Sequence, residues 1–303
     1  MIKIPRVILW IENSREYGRQ LLRGISKYAS LYGPWNFCTA QPFYYEKADN
    51  QNKVLSLIKK WDADGVIMRE TPDVEQIKKL GIPAVISTYM SEKIPGMTTV
   101  VGDCKGAGIM AAEHLLERGF KKFAYCGLDN MYWSHERRAS FQERLSQYGC
   151  SVEVYKQPNT KTNEQAFLVE WLKKLPKPIG LMTCTDDRSQ DIVEACKLAG
   201  IHIPEEIAVI GVDNDELICG LSNPPLSSVA LNATKAGYEA AEALDHLMKG
   251  GKNEERVIVA SATHIASRQS TDIMAIDDAE VASAIRYIRQ NSKKIIQIGD
   301  VVE

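Results

Sequence analysis

The stretch IAVIGVDND, residues 207–215, places an uninterrupted apolar run directly before a cluster of acidic and amide side chains. The run Ile207–Val212 is short and rich in β-branched residues, which is typical of a strand buried on both faces of a parallel sheet. The residues from Asp213 onward then lie at the carboxyl end of that strand, where parallel α/β sheets bind ligands. A carboxylate in that position requires a neighbouring arginine or a ligand to satisfy its oxygens. The stretch therefore predicts an α/β sheet with a binding position at its edge.

Length and composition limit the classes of protein that fit. The 303 residues exceed the usual single core, so the length predicts two lobes. The 37 basic residues and 39 acidic residues leave a net charge of −2, which gives the chain as a whole no basic field for nucleic acid. No apolar run reaches the roughly 20 residues of a membrane span, and the first residues lack signal-peptide architecture. We therefore predict a cytosolic protein without membrane contact.

The dispersed cysteines and histidines indicate neither a disulfide framework nor a metal site. The seven cysteines are odd in number and lack Cys-x-x-Cys spacing, which favours reduced, partly buried thiols. None of the five histidines forms a ligand pair at helical spacing. The sequence also lacks a Gly-x-Ser-x-Gly turn, a P-loop and a His-Glu-x-x-His pair. We accordingly predict no catalytic residue, no bound metal and no cofactor.

Short β-branched runs alternate with amphipathic segments, and this rhythm occurs twice, predicting two doubly wound parallel sheets covered by helices. The first series has strands at 6–11, 35–39, 65–68 and 83–87 and helices at 17–28, 52–60 and 74–80. The second has strands at 122–126, 152–155, 179–183 and 208–212 and helices at 136–148, 164–174 and 187–198. A helix at 234–248 and extended segments at 256–260 and 264–267 follow, where we expect the chain to cross back between the lobes.

These patterns give a predicted division of the chain. We assign 1–103 plus 233–252 to an N-terminal lobe and 104–232 plus 253–270 to a C-terminal lobe. Residues 271–303 form a linker and a short helical extension, because Val281, Ile285 and Ile288 lie at helical spacing. These last residues cannot bury a core alone.

The segment Gly106–Ala111 matches the dinucleotide-binding pattern Gly-x-Gly-x-x-Ala, so a dinucleotide-dependent enzyme is the alternative from another class. In that motif the first glycine turns directly off the strand, whereas residues 102–105 separate the strand-like segment 98–101 from Gly106 here. Asp103 is placed to cap a helix that already contains both glycines. We expect the small residues to allow close helix packing, and titration with nicotinamide cofactors separates the two interpretations.

Polar and aromatic residues follow the predicted strands at their carboxyl ends. The candidate ligand-binding residues are Glu12, Asn13, Tyr17, Arg69, Trp133, Arg137, Thr185, Asp186 and Asp213. Charged groups form strong hydrogen bonds with vicinal hydroxyls, and an aromatic ring covers the apolar C–H face of a sugar. Asp186 is equally explained as a helix cap, Trp133 as a core residue and Tyr17 as a cover for its own helix. The set predicts a polyhydroxyl ligand, and Asp213 is the hardest to explain without one.

Several segments resemble the sensor region of the lactose-repressor family, which has the periplasmic-binding-protein type I fold. The similarity lies in GVDN at 211–214, PPLSSV at 224–229, Asp103-x-x-Gly106 and CTD at 184–186. Closer similarity to the family of bacterial xylose-operon regulators lies in WSHERRASFQERL at 133–145, CTDDRSQDIVEAC at 184–196 and RQSTD at 268–272. Those regulators join such a sensor to an arabinose-regulator-type helix-turn-helix domain at the C-terminus.

The resemblance implies a monosaccharide effector, xylose or a similar pentose, in a cleft between the lobes. It implies that Arg137 anchors ligand hydroxyls, that Asp213 binds the sugar, and that Thr185 and Asp186 contact or brace it. The first-loop residues lie where the family contacts effector, although WIEN at 10–13 departs from the xylose regulators' version and leaves the sugar open.

The resemblance also implies that the protein controls transcription. A homodimer would control sugar-use genes by binding operator DNA through a C-terminal domain, of which this sequence holds only the first helix and a fragment. The alternative within the same fold is a periplasmic-type sugar-binding receptor without a DNA-binding role. The lack of a signal sequence, the unpaired cysteines and the residues after Ser270 argue against that alternative.

Overall fold

The computed structural model of the protein describes residues 3–39, 53–158, 164–252 and 255–273, with Ala275 and a few isolated positions up to 297. The strands in these ranges are β1 (Arg6–Trp10), β2 (Asn36–Thr39), β3 (Gly65–Arg69), β4 (Ala84–Ser87), β5 (Thr98–Gly102), β6 (Phe123–Cys126), β7 (Val152–Val154), β8 (Ile179–Thr183), β9 (Ile207–Val212), β10 (Ser227–Leu231), β11 (Val257–Ala260) and β12 (Ala262–Ala266). The helices are α1 (Glu16–Tyr32), α2 (Lys53–Trp61), α3 (Val74–Leu80), α4 (Cys104–Glu117), α5 (Tyr132–Ser146), α6 (Glu164–Lys174), α7 (Asp186–Ala199), α8 (Glu216–Leu221) and α9 (Ala233–Met248). A short 3-10 turn spans Gln269–Thr271.

The chain divides into two compact units. The first runs to Gly106 and takes in Asn130–Trp133 and Leu231–Thr263. The second consists of Ala107–Asp129, Ser134–Ala230 and the described residues from His264 onward. Each unit is built around one six-stranded sheet.

The two sheets have the same strand order. The first is β2-β1-β3-β4-β5-β11 and the second is β7-β6-β8-β9-β10-β12. All pairs of the first sheet and the four pairs from β7 to β10 are parallel. The order reverses between β1 and β3 and again between β6 and β8, and ligands of open α/β sheets bind at the carboxyl ends beside such reversals. The predicted fold class of two doubly wound parallel sheets is confirmed.

Burial of the strands explains why the apolar runs specify this fold. All six residues of β9 are buried, as the run at 207–212 predicts. In the first unit α1 packs closely on α9 because glycines lie at the contact. A Cβ on Gly24 would lie 2.0 Å from the Thr234 carbonyl oxygen, and one on Gly237 would lie 2.1 Å from that of Leu21.

Three features differ from the sequence-based expectations. The elements α8 and β10 were not predicted, and β10 escapes the apolar pattern because it begins with two serines that are fully buried. The strand β11, expected in the C-terminal lobe with 253–270, instead pairs with β5 in the first sheet. Its partner lies far back in the sequence, so its own composition does not identify the sheet that it joins.

The predicted C-terminal helix lies mostly outside the described residues. Among the helices that the structure describes, none combines the length and apolar character required to cross a bilayer.

Candidate functional site

A buried arginine connects the carboxyl ends of three strands in the second sheet. Arg137 lies on α5, which follows β6, and is only 4% exposed. Its Nη1 donates to the carbonyl oxygen of Cys184, directly after β8, and its Nη2 donates to Asp213 Oδ1 at 3.3 Å, directly after β9. The guanidinium group is therefore fixed in orientation at the edge of the sheet where ligands bind.

Asp213 is the other half of this ion pair, and its side chain is 21% exposed. Burial raises the pKa of Asp213 above its ordinary value, against the opposing effect of Arg137. Asp213 and Asn214 both have left-handed backbone conformations, with φ of 103° and 50°. Such conformations cost on the order of 1 to 3 kcal/mol each and persist where the surrounding structure enforces them. Here Asp213 N donates to the Val229 carbonyl oxygen at 2.9 Å, and Asn214 N donates to Ser228 Oγ at 3.0 Å.

Asp186 stabilises the same turn through hydrogen bonds. It is 2% exposed and accepts hydrogen bonds from Asp215 N at 2.7 Å and from Ser228 Oγ at 2.5 Å. Burial, with the nearby charge of Asp213 adding to it, raises the pKa of Asp186 to about 8. Gly211 is required beside it, because a Cβ there would lie 2.3 Å from Asp186 Oδ1.

The structure also separates two roles that the sequence left open. Thr185 is the N-cap of α7, since its Oγ1 accepts a hydrogen bond from Arg188 N. The interpretation of Asp186 as the helix cap is therefore wrong, and its carboxylate instead organises the turn after β9.

Trp133 lies in the first turn of α5, next to the residue that fixes the start of that helix. Ser134 Oγ accepts a hydrogen bond from Leu128 N at 2.9 Å, and the Ser134 carbonyl oxygen accepts one from the Tyr125 hydroxyl at 2.7 Å. The Trp133 side chain is half-buried, which the core interpretation does not predict.

In the first unit the predicted residues lie in a more open setting. Glu12 and Asn13 are exposed in the loop after β1, where the Glu12 carboxylate accepts a hydrogen bond from Ser14 N. Tyr17 is half-buried on α1 and packs against the hydrophobic core of the first unit. Gly18 allows the loop to approach the helix, because a Cβ there would lie 1.8 Å from the Glu12 carbonyl oxygen.

Arg69, at the end of β3, contacts an aromatic residue that is not among the predicted ligand-binding residues. Its guanidinium carbon lies 4.1 Å from the centre of the Tyr89 ring. Glu70 positions this loop after β4 by accepting hydrogen bonds from Tyr89 N at 3.0 Å, Met90 N at 2.8 Å and Ser91 Oγ at 2.9 Å. The available signal was the position of Tyr89 two residues beyond a predicted strand, which is a ligand-facing position in this class of sheet.

The structure thus divides the candidate residues between the units. It brings Arg137 and Asp213 together, and it connects Asp186 to them through the turn after β9. The remaining candidate of the second unit is Thr185, which caps α7. The first unit holds Glu12, Asn13, Tyr17, Arg69 and Trp133.

The dinucleotide-like pattern has a packing explanation. Helix α4 begins at Cys104 and contains both glycines, and Asp103 Oδ1 accepts a hydrogen bond from Gly106 N at 2.8 Å. A Cβ on Gly108 would lie 2.1 Å from Ser140 Oγ and 2.6 Å from the Arg137 carbonyl oxygen. Gly108 therefore lets α4 pack directly against the helix that carries Arg137, and the expectation of close helix packing is confirmed.

The other titratable clusters fit structural roles. None of the seven cysteines, all of which lie in the described ranges, forms a disulfide, and four of them, Cys126, Cys184, Cys196 and Cys219, are buried. In the described parts of the chain no group of three or more His, Cys, Asp or Glu side chains has the arrangement of a metal site.

The class of protein that these two sheets define matches a known family. Residues 112–271 match the family described as a periplasmic binding protein-like domain. A solved structure of a xylose-binding transcription activator superposes with a TM-score of 0.82 at 27% identity, covering 99% of this chain and 78% of that one.

Two curated relatives extend the match to almost the whole sequence. The chain is 30% identical to the xylose operon regulatory protein of Haemophilus influenzae, over 98% of its own length and 78% of the relative's. It is 29% identical to the xylose operon regulatory protein of Escherichia coli K12, over 99% of its own length and 78% of the relative's. The chain belongs to the family of bacterial xylose operon regulatory proteins.

Proposed function

We propose that this chain is the sugar-sensing domain of a transcriptional regulator and that a pentose, xylose first, binds to Arg137 and Asp213. The observation that carries the proposal is the buried Arg137–Asp213 pair at the carboxyl edge of the second sheet. The names of the similar proteins support it, since they describe xylose operon regulators and a xylose-binding activator.

The chemistry of the pair suits a sugar with vicinal hydroxyls. Asp213 Oδ1 accepts from Arg137 Nη2, and Asp213 Oδ2 is the other acceptor of this partly exposed carboxylate. A hydroxyl can donate to that oxygen while its neighbour accepts from a guanidinium N–H, in the charge-assisted bonds that each contribute about 1.5 to 3 kcal/mol. Because Arg137 is buried and held by two hydrogen bonds, the ligand meets a guanidinium group that is already oriented.

The first-unit candidates complete the proposed ligand contacts. Glu12, Asn13 and Arg69 supply further hydrogen-bonding groups, and the half-buried Tyr17 and Trp133 offer aromatic surface for the C–H face of the ring. We propose that the sugar signals through a higher affinity for one conformation of the protein. A hundredfold preference supplies about 2.7 kcal/mol for that shift.

The output belongs to the same proposal. We propose a cytosolic homodimer that binds operator DNA through an arabinose-regulator-type helix-turn-helix domain following the sensor. The RQSTD segment at 268–272 and the succeeding helical pattern are the sequence features that favour this arrangement.

A ligand screen tests the proposal. Thermal unfolding in the presence of xylose, other pentoses and hexoses should show stabilisation by the true effector, because a ligand at 100 times its Kd adds about 2.7 kcal/mol of stability. Asp213→Ala should abolish that stabilisation, while Glu216→Ala, an exposed acid on the next helix, should keep it. No shift with any sugar contradicts the function, and an unchanged calorimetric affinity in Asp213→Ala contradicts the site.

A further inference from the structure

The segment from Arg268 to Thr271 is built into the second sheet. Ser270 and Thr271 are fully buried. Ser270 Oγ donates to the Val209 carbonyl oxygen in β9 at 2.6 Å and accepts from Ser227 N in β10 at 2.8 Å. Arg268 N donates to Ser227 Oγ at 2.8 Å. These bonds fix the segment against β9, which ends directly before Asp213, and against β10, whose Ser228 and Val229 bond to the turn after β9.

His114 on helix α4 and Arg118 directly after that helix hold the same segment from another side. His114 Nε2 lies 2.8 Å from Thr271 Oγ1, and burial lowers the pKa of His114 to about 4. Arg118 Nε donates to the Thr271 carbonyl oxygen at 2.7 Å, and its Nη2 donates to Ser267 Oγ at 3.2 Å. Beyond the segment, Ala275 N donates to the Arg118 carbonyl oxygen at 2.7 Å. None of these α4 contacts involves the turn at Asp213.

One side chain of the segment does reach that turn. Arg268 Nη2 donates to Asn214 Oδ1 at 2.8 Å, and Arg268 Nη1 donates to the Leu226 carbonyl oxygen, also at 2.8 Å. Asn214 is the second of the two successive left-handed residues, and it directly follows the proposed ligand-binding Asp213. Two such residues in succession persist only where the surroundings hold them, and the Arg268 guanidinium is one of the groups that do so.

We propose that Arg268 is a positioning residue that holds the left-handed Asp213–Asn214 turn and thereby couples the ligand position to the seating of residues 268–271. A change in the Asp213 carboxylate on ligand binding acts on the adjacent Asn214, and Asn214 is bonded directly to the segment that precedes the C-terminal residues. The inference rests on the proposed function in taking Asp213 as the ligand-binding residue.

Three variants of the full chain isolate this contact. Arg268→Met removes the guanidinium group, and Asn214→Gly removes the side-chain oxygen while permitting the left-handed backbone. Arg118→Met is the matched control, because it loosens residues 267–271 from the α4 side without touching the turn. Hydrogen exchange followed by mass spectrometry, without any sugar, then reports on both ends of the proposed connection.

The expected exchange pattern is reciprocal. Arg268→Met should speed exchange at residues 213–215 about tenfold, and Asn214→Gly should speed exchange at residues 268–272. Arg118→Met should speed exchange mainly at residues 267–272 and have a smaller effect on the turn, because the Arg268–Asn214 bond stays in place. The inference is overturned if Arg268→Met leaves the turn as protected as in the parent, if Asn214→Gly leaves 268–272 unchanged, or if Arg118→Met loosens the turn equally. Asn214→Gly keeps the test valid should Arg268→Met fail to fold.

Sugar affinity provides the second readout and separates the two proposals. Arg268→Met and Asn214→Gly should each weaken xylose binding about threefold to tenfold, and the double variant should bind as the single variants do, since both changes break one contact. Arg118→Met should bind normally. Additive losses overturn the inference. If the parent chain binds no sugar, the proposed function fails, while the exchange pattern still supports or overturns the Arg268–Asn214 coupling.

Discussion

The ionisable candidate residues at the strand ends of the second unit are buried or half-buried and hydrogen-bonded, whereas those at the strand ends of the first unit, Glu12 and Arg69, are exposed. Arg137 and Asp186 are almost fully covered, and each makes at least two hydrogen bonds to backbone or side-chain groups. Glu12 and Arg69 lie at the equivalent edge of the first sheet, in exposed positions. The strand order of the two sheets is the same, so the difference comes from the residues placed on it.

This difference leads to an expectation for the proposed sugar binding. A buried group has already lost its freedom on folding, and its interactions are strengthened by the lower local dielectric. An exposed side chain loses about 0.5 to 1.5 kcal/mol of conformational entropy when a ligand immobilises it. We therefore expect the second unit to supply most of the affinity and the first unit to supply smaller contributions.

The largest expected effect is at Arg137. Arg137→Met should weaken binding of the effector sugar about a hundredfold, because one or two charge-assisted hydrogen bonds of about 1.5 to 3 kcal/mol are lost and Asp213 loses its orienting partner. Isothermal titration calorimetry measures this loss, with circular dichroism to verify the fold.

The adjacent arginine is the matched control for this change. Arg138 donates to His135 Nδ1 at 3.1 Å, three residues before it on the same helix. Arg138→Met should bind sugar within about threefold of the parent chain. Equal losses of sugar affinity in Arg137→Met and Arg138→Met would contradict the assignment of Arg137 as the buried anchor.

The second prediction concerns the packing that supports Arg137. Gly108→Ala should lower the free energy of unfolding by about 1 to 3 kcal/mol, because the added Cβ meets Ser140 Oγ and the Arg137 carbonyl oxygen. Gly220→Ala, on α8, is the control, since no atom lies within 4 Å of its Cβ position. That variant should be neutral or more stable by up to about 1 kcal/mol. Urea unfolding measures both, and a Gly108→Ala variant as stable as the parent would contradict the close packing of α4 and α5.

The third prediction contrasts the pH dependence of one carboxyl from each unit. The pKa of Asp186 is raised to about 8, first by burial and then by Asp213, so the folded chain keeps a proton that the unfolded chain releases near pH 4. The stabilisation from that group is complete below pH 4 and is lost as the pH rises towards 8, with a slope of up to about 1.4 kcal/mol per pH unit. Asp186→Asn should flatten this decline in urea unfolding measured between pH 5 and pH 8.

Asp64 in the first unit should show the opposite sign. Although burial opposes it, hydrogen bonds from Lys3 and from Arg6 N hold the pKa of Asp64 below its ordinary value. Its stabilisation is present above the ordinary pKa and is lost as the pH falls through the lowered one. Asp64→Asn should therefore destabilise the chain at pH 7 and less so at pH 3. For Asp186, the same dependence of the unfolding free energy on pH in the parent chain and in Asp186→Asn would contradict the raised pKa of the Asp186 carboxyl.

The sequence alone predicts those parts of the site that depend on local order. Asp213 follows a fully apolar strand, and Arg137 lies on the helix after β6, so their positions at the sheet edge follow from the alternation of strands and helices. Their mutual contact does not follow from the pattern, because 76 residues separate them. The resemblance to regulators suggested both residues without giving the ion pair.

The roles of Ser228 and Asp186 could not be predicted from the sequence, because their hydrogen-bond partners are distant along the chain. Ser228 is indistinguishable from a loop residue in the sequence, yet it is fully buried in β10, where its hydroxyl donates a hydrogen bond to Asp186 Oδ1. The role of Asp186 is hidden for the same reason, since its partners lie 29 and 42 residues away. Tyr89 was missed because a single aromatic residue in a short loop has no periodicity that marks it.

The smallest expected effect is at Arg69. Arg69→Met should weaken sugar binding by less than about threefold, because the guanidinium group is exposed and its described contact is with the Tyr89 ring, in an arrangement that contributes about 0.5 to 1 kcal/mol at exposed sites. Tyr89→Leu removes the ring from the same pair and should have an effect of similar size, and the double variant should lose no more than either single change. A loss at Arg69 as large as that at Arg137 would reverse the ranking of the units, since it would place a principal anchor on the exposed edge of the first sheet.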